Sequence, residues 1–204
     1  MIGSLARASS RDPVAGSEPF NAPLFRGLIE GVPENQRWVV LDLGKVCPQV
    51  ISLLGGHRCR VEIAEVGQEL ELLNRDLDRE ALQHVAEGAL PARLSEPVDL
   101  VLCWDTLNYL NREALRMLMA QVAERCRPGS LVHALIYYAE PQMPVVPGHY
   151  VPAVDGSLVN VSSCAQMRDA PRYTPEDLRL CLPAYTTERA MLLGNGMQEF
   201  LFRL

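Results

Sequence analysis

Residues 37–46 read R-W-V-V-L-D-L-G-K-V, and the fold is decided there. Trp38 to Leu41 is a run of large and β-branched apolar side chains. Asp42 interrupts it, Leu43 resumes it and Gly44 ends it. A run of this length, apolar on both faces and closed by glycine, predicts a central strand of a parallel sheet. Pro48 follows, then Val50, Ile51, Leu53, Leu54 and the pair Gly55-Gly56. Proline suits the first turn of a helix and glycine its end, so a short helix follows the strand. In open α/β sheets ligands bind beyond the carboxyl ends of the strands. The edge that carries Asp42 and Gly44 is therefore where a ligand is expected.

Outward from this unit the pattern repeats. Leu24, Phe25, Leu28 and Ile29 stand at helical spacing before Gly31, which predicts a leading helix over 21–31. Cys59 to Ala64 reads as a second strand closed by Glu65. Leu70, Leu73 and Leu77 share one face of a helix expected over 67–79. A further strand is expected at Gln83 to Ala86. V-D-L-V-L-C-W at 98–104 is apolar but for Asp99 and reads as a strand, with Asp105 and Thr106 at its end. Asn111 can cap a helix over 112–126. Pro128-Gly129 is a turn, and Leu131 to Tyr138 a strand. Residues 140–172 carry Pro141, Pro144, Pro147, Pro152 and Pro171. An irregular stretch this long is usually functional, and its place predicts a partly mobile lid over the carboxyl edge. Thr174-Pro175-Glu176-Asp177 has the chemistry of a helix start. Gly194-Asn195-Gly196 between two apolar runs predicts a closing hairpin.

Composition bounds the function. The chain has 204 residues, 48% of them hydrophobic and 22% charged, which suits one domain over 20–204 behind a mobile tail at 1–19. Net charge is −6 and no cluster of Lys or Arg occurs, which argues against nucleic acid as a partner. The six cysteines are dispersed, with no C-x-x-C pair. That spacing predicts no zinc or other metal site and points to a reducing, cytoplasmic setting. No apolar run reaches membrane-spanning length, and Ser9, Ser10, Arg11 and Asp12 break any leader-like segment. No membrane partner is expected.

The order of these elements resembles that of the class I S-adenosylmethionine-dependent methyltransferases. V-V-L-D-L-G at 39–44 resembles their first motif, the strand and turn under the cofactor. V-D-L-V-L-C-W-D-T-L-N-Y-L at 98–110 resembles their fourth, and C-R-P-G-S-L-V at 126–132 the turn before their fifth strand. The likeness covers roughly residues 35–204. It implies an α/β fold with a Rossmann-like, doubly wound, mixed seven-stranded sheet and a C-terminal antiparallel hairpin. It also implies S-adenosylmethionine as cofactor, with Asp42, Gly44, Glu65 and Asp105 as its binding residues. The family's glycine-rich turn is reduced here to Gly44-Lys45-Val46-Cys47-Pro48. Glycine there permits positive φ and close approach of a ligand to the backbone. Val46 and Pro48 stiffen and crowd the turn, so weak or lost binding is expected. Glu87 is the nearest candidate for the family's acid beside the adenine.

Each site residue has two readings. Asp42 could position the cofactor's amino end or hold the turn amides. Glu65 could accept both ribose hydroxyls, since a carboxylate has two acceptor oxygens, or end a strand in solvent. Asp105 is the one candidate catalytic residue, as a base or orienting group, or else a cap. Tyr109, Tyr138, His149 and Tyr150 could line an acceptor pocket or simply pack. Arg168 and Arg172 could meet an acidic acceptor or stay solvated. Two functions follow. One is methyl transfer to a small-molecule or protein acceptor. The other is a methyltransferase fold without catalysis, acting as a binding or assembly partner. A nicotinamide dinucleotide enzyme is excluded, because pyrophosphate needs the glycine-rich turn at a helix start.

Overall fold

A computed structural model describes residues 18–33, 35–92, 96–153 and 155–204. The expected tail at 1–19 lies almost wholly outside the described residues. Among the described residues ten strands and six helices follow one another. They are α1 (Pro23–Glu30), β1 (Trp38–Asp42), α2 (Pro48–Gly55), β2 (Cys59–Ile63), α3 (Leu70–Leu73), α4 (Arg79–Gly88), β3 (Val98–Trp104), α5 (Arg112–Ala123), β4 (Cys126–Tyr137), β5 (Gln142–Pro144), β6 (Tyr150–Pro152), β7 (Leu158–Asn160), β8 (Met167–Asp169), α6 (Pro175–Cys181), β9 (Thr186–Leu192) and β10 (Met197–Arg203).

The main sheet runs β2-β1-β3-β4-β10-β9. Its first four strands are parallel and its last two antiparallel. The α/β architecture and the terminal hairpin are as the sequence predicts. Asn195 accepts from Met197 N at 3.1 Å and Gly196 takes φ +81°, which fixes the hairpin turn. Among the described residues the sheet has six strands, not seven. The expected strand at 83–86 lies inside α4, because Asp78 caps the helix by accepting from Ala81 N at 2.8 Å. Leu82, Ala86 and Ala89 then bury one helical face. Four residues are too few for periodicity to distinguish strand from helix. The helix expected over 67–79 is broken into α3 and a 3₁₀ turn at Val66–Gln68. Glu87 therefore sits on a helix rather than at a strand edge.

Strand alternation divides the core in two. Leu41, Val101, Cys103, Ala134 and Phe200 pack under α4, α5 and α6. Val40, Leu100, Leu102, Trp104 and Leu135 pack under α1, α2 and β6. On that second face the Glu199 carboxylate accepts from Leu24 N at 2.9 Å and Phe25 N at 2.7 Å, and bonds His133 Nε2 at 2.9 Å. It anchors α1 to the sheet through the helix's own orphan amides. Both side chains are completely buried.

Glu199→Ala leaves those two amides and His133 without their acceptor. Leaving a buried polar group without its partner costs about 1–3 kcal/mol, so three such groups together cost about 3 kcal/mol or more, lowering the melting temperature by at least roughly 6 °C in thermal unfolding. A drop of less than roughly 2 °C contradicts this anchoring.

Candidate functional site

The turn after β1 is organised by Asp42. Its Oδ1 accepts from Gly44 N at 2.8 Å and from the Trp104 indole Nε1 at 2.7 Å. Trp104 ends β3 at a register shift, with φ 49°. A bulky residue at positive φ is a strained outlier. What holds it is Asp42 on one edge and rings on its faces. Tyr150 stacks on it at 5.8 Å, and Phe25 lies 5.3 Å away. Gly44 is needed beneath it, since a Cβ there would stand 2.5 Å from Trp104 Cδ1.

Asp105, the next residue, is also completely buried. Gly148 N donates to both of its oxygens, at 3.1 and 3.0 Å, and Tyr150 OH donates at 3.1 Å. Tyr109 OH donates to Val146 O at 2.8 Å. The segment 140–172 is thus tied across the carboxyl edge of β3, where a lid was expected. It is not wholly irregular, because it folds into the hairpin-like pairs β5/β8 and β6/β7.

Under this segment lies a cavity of about 400 Å³. It opens at the ends of β1 and β2 and is lined by Gly44, Lys45, Val46, Glu65, Thr106 and His149, among others. Strand order reverses about β1, with β2 to one side and β3 to the other, so this is the switch point at which such sheets bind ligands. The volume falls within the usual range of small-molecule sites. Glu65 takes φ 43°, which turns its carboxylate back over the turn. Its Oε1 accepts from Val46 N at 3.3 Å and its other oxygen from Gln68 Nε2.

Of the four residues the resemblance assigns to the cofactor, Gly44 and Glu65 line the cavity. Asp42 and Asp105 lie behind its wall, holding Trp104 and the covering segment. His149 also lines it, whereas Tyr109 and Tyr150 act as ties. Tyr138 and Arg172 meet each other instead, Arg172 Nε donating to the Tyr138 carbonyl at 2.8 Å. The Arg168 guanidinium lies 5.5 Å from the Tyr109 ring centre. Lys45, Gln68 and Thr106 were not singled out from sequence. Lys45 carried a signal, standing where the family pattern has a freer turn. Among the described residues no group of three His, Cys, Asp or Glu side chains could hold a metal ion. Among them, too, no helix is long and apolar enough to cross a membrane.

Burial pushes the Asp42 and Asp105 carboxyls up to about 6, against the lowering effect of their hydrogen bonds. His149 is shifted the other way, first by burial and then by the Lys45 charge.

No family model matches the sequence, and a comparison with curated proteins gives no match. Solved structures similar to the chain include methyltransferases. One is an S-adenosylmethionine-dependent methyltransferase from Clostridium acetobutylicum, at 11% identity and a TM-score of 0.47, over 82% of this chain and 83% of that one. The CcbJ methyltransferase from Streptomyces caelestis is 12% identical with a TM-score of 0.49, over 87% and 93%. Magnesium protoporphyrin IX methyltransferase from Synechocystis, with bound S-adenosylmethionine, is 12% identical with a TM-score of 0.47, over 88% and 74%.

Two outcomes check this geometry. Gly44→Ala forces the indole aside and costs about 1–3 kcal/mol, as overpacking does. In a Trp104→Ala background the same change costs little. Equal costs in both backgrounds contradict the contact. The second outcome concerns pH. A carboxyl whose folded value lies above its unfolded 3.8 binds more protons when native, so stability falls as pH rises from about 4 to about 6. Relative to wild type, Asp105→Asn gains about 2–3 kcal/mol between pH 4 and pH 8 in denaturant unfolding. Parallel pH profiles contradict it.

Proposed function

We propose that the cavity binds S-adenosylmethionine or its demethylated product, and that the chain works as a methyltransferase on a small-molecule or protein acceptor. The observation that carries this reading is the Glu65 carboxylate beside Gly44 at the switch point of the sheet. Two acceptor oxygens suit a ribose diol. Pro147 and His149 roof the same space. S-adenosylmethionine supplies a methyl group on a positively charged sulfur, already primed to leave. The protein's share is then alignment and exclusion of water, and alignment alone is worth up to about 7–11 kcal/mol of barrier. The residues that would do this are Glu65 on the ribose, the Gly44–Val46 turn beneath, and the segment at 146–149 above. Val46, half exposed in the cavity wall, and Pro48 make the turn crowded and the binding weaker than with a glycine-rich turn.

One observation favours a second reading, a methyltransferase fold that binds without catalysis. Asp105, the candidate catalytic residue, is sealed by Gly148 and Tyr150 and does not reach the cavity.

Thermal unfolding with S-adenosylmethionine or S-adenosylhomocysteine separates these. A ligand at a hundredfold excess over Kd stabilises by about 2.7 kcal/mol, which for a domain of this size is a rise of roughly 5–10 °C. Glu65→Ala reduces that rise. No shift and no calorimetric heat at millimolar ligand overturns the cofactor reading and leaves the non-catalytic one. A shift that survives Glu65→Ala unchanged removes the ribose from Glu65.

A further inference from the structure

A glycine-rich turn offers its amides to a ligand anion; in this turn two of those amides are already engaged. Gly44 N donates to Asp42 and Val46 N donates to Glu65. Pro48 has no N–H. Yet the cavity wall between them carries one ammonium, Lys45. Its side chain is exposed, and among the described residues it has no ion-pair partner. The other charged or titratable groups on the wall are Glu65 and His149, with Asp105 buried behind it.

We propose that Lys45 is the anion-binding residue of the cavity, and that it selects adenosyl ligands bearing a carboxylate at the far end from the adenine. This deepens the cofactor reading and rests on it. Glu65 and Lys45, of opposite charge on one wall, would meet the ribose hydroxyls and the amino-acid carboxylate of the same ligand. The cation stands in for amides that internal carboxylates already occupy. A point charge on a flexible stem also needs less exact placement than a set of backbone donors. A 5′-phosphate could satisfy the same charge, so the two anions must be told apart.

The test compares S-adenosylhomocysteine, methylthioadenosine, which lacks the amino-acid end, and AMP by calorimetry on the full chain. Wild type should prefer S-adenosylhomocysteine over methylthioadenosine by about five- to tenfold, the size expected of one charge-assisted contact open to solvent. The preference should fall with added salt. Lys45→Ala should bring the ratio towards one by weakening S-adenosylhomocysteine alone, and Lys45→Arg should retain most of it. Unchanged circular dichroism and melting temperature without ligand show that the variants are folded. A ratio unaffected by Lys45→Ala overturns the assignment while leaving the cofactor reading in place. AMP binding as tightly as S-adenosylhomocysteine overturns the choice of a carboxylate. Binding of none of the three to wild type overturns both.

Discussion

The buried Asp42 carboxylate is the group on which the site depends. It accepts from the turn below through Gly44 N and from the strand beside it through the Trp104 indole. Without those donors a carboxylate at 2% exposure would be unstable in this position. With them, it converts a left-handed tryptophan from a liability into a wedge. The wedge in turn supports Tyr150, and Tyr150 with Gly148 closes over Asp105. Strain at one backbone position is thereby sustained by a chain of contacts running from β1 to the segment after β4.

This closure shapes what the protein can do. The indole fills the space on one side of Gly44, and the cavity lies towards β2, Glu65 and the roof at 146–149. The chemistry of the edge is divided accordingly. The carboxyls of Asp42 and Asp105 serve structure, pushed up to about 6 by burial. Glu65 and Lys45 line the cavity, Glu65 also accepting from Val46 N and Gln68 Nε2.

The sequence made the fold legible where the signals were local. The Gly194-Asn195-Gly196 turn, the Thr174 and Asp177 capping pair and the apolar runs of β1 and β3 each carry their own instruction. Thr174 and Asp177 bond reciprocally at the start of α6, as their spacing implies. The expected strand at 83–86 failed because four residues, two polar and then two apolar, are too few to show either period, and the decisive cap, Asp78, lies outside them. For Asp42 the hold on the turn amides was one of the two readings, and its bond from Gly44 N is local. Its indole partner stands 62 residues away and the partners of Asp105 stand 43 and 45 away, and no local spacing reports those. Glu199 and His133 were not singled out from sequence, where their strands read simply as apolar runs. Their pairing becomes readable only once β10 lies against β4.

The account's central claim is that the cavity between Gly44, Glu65 and the segment at 146–149 remains a ligand site although the carboxyls behind it are sealed. Amide-resolved NMR titration with S-adenosylhomocysteine tests this directly. The account predicts saturable shifts at Gly44, Val46, Gln68 and Gly148, with the amides of β9 and α6 unmoved. Shifts confined to other surfaces, or none at millimolar ligand, would contradict it.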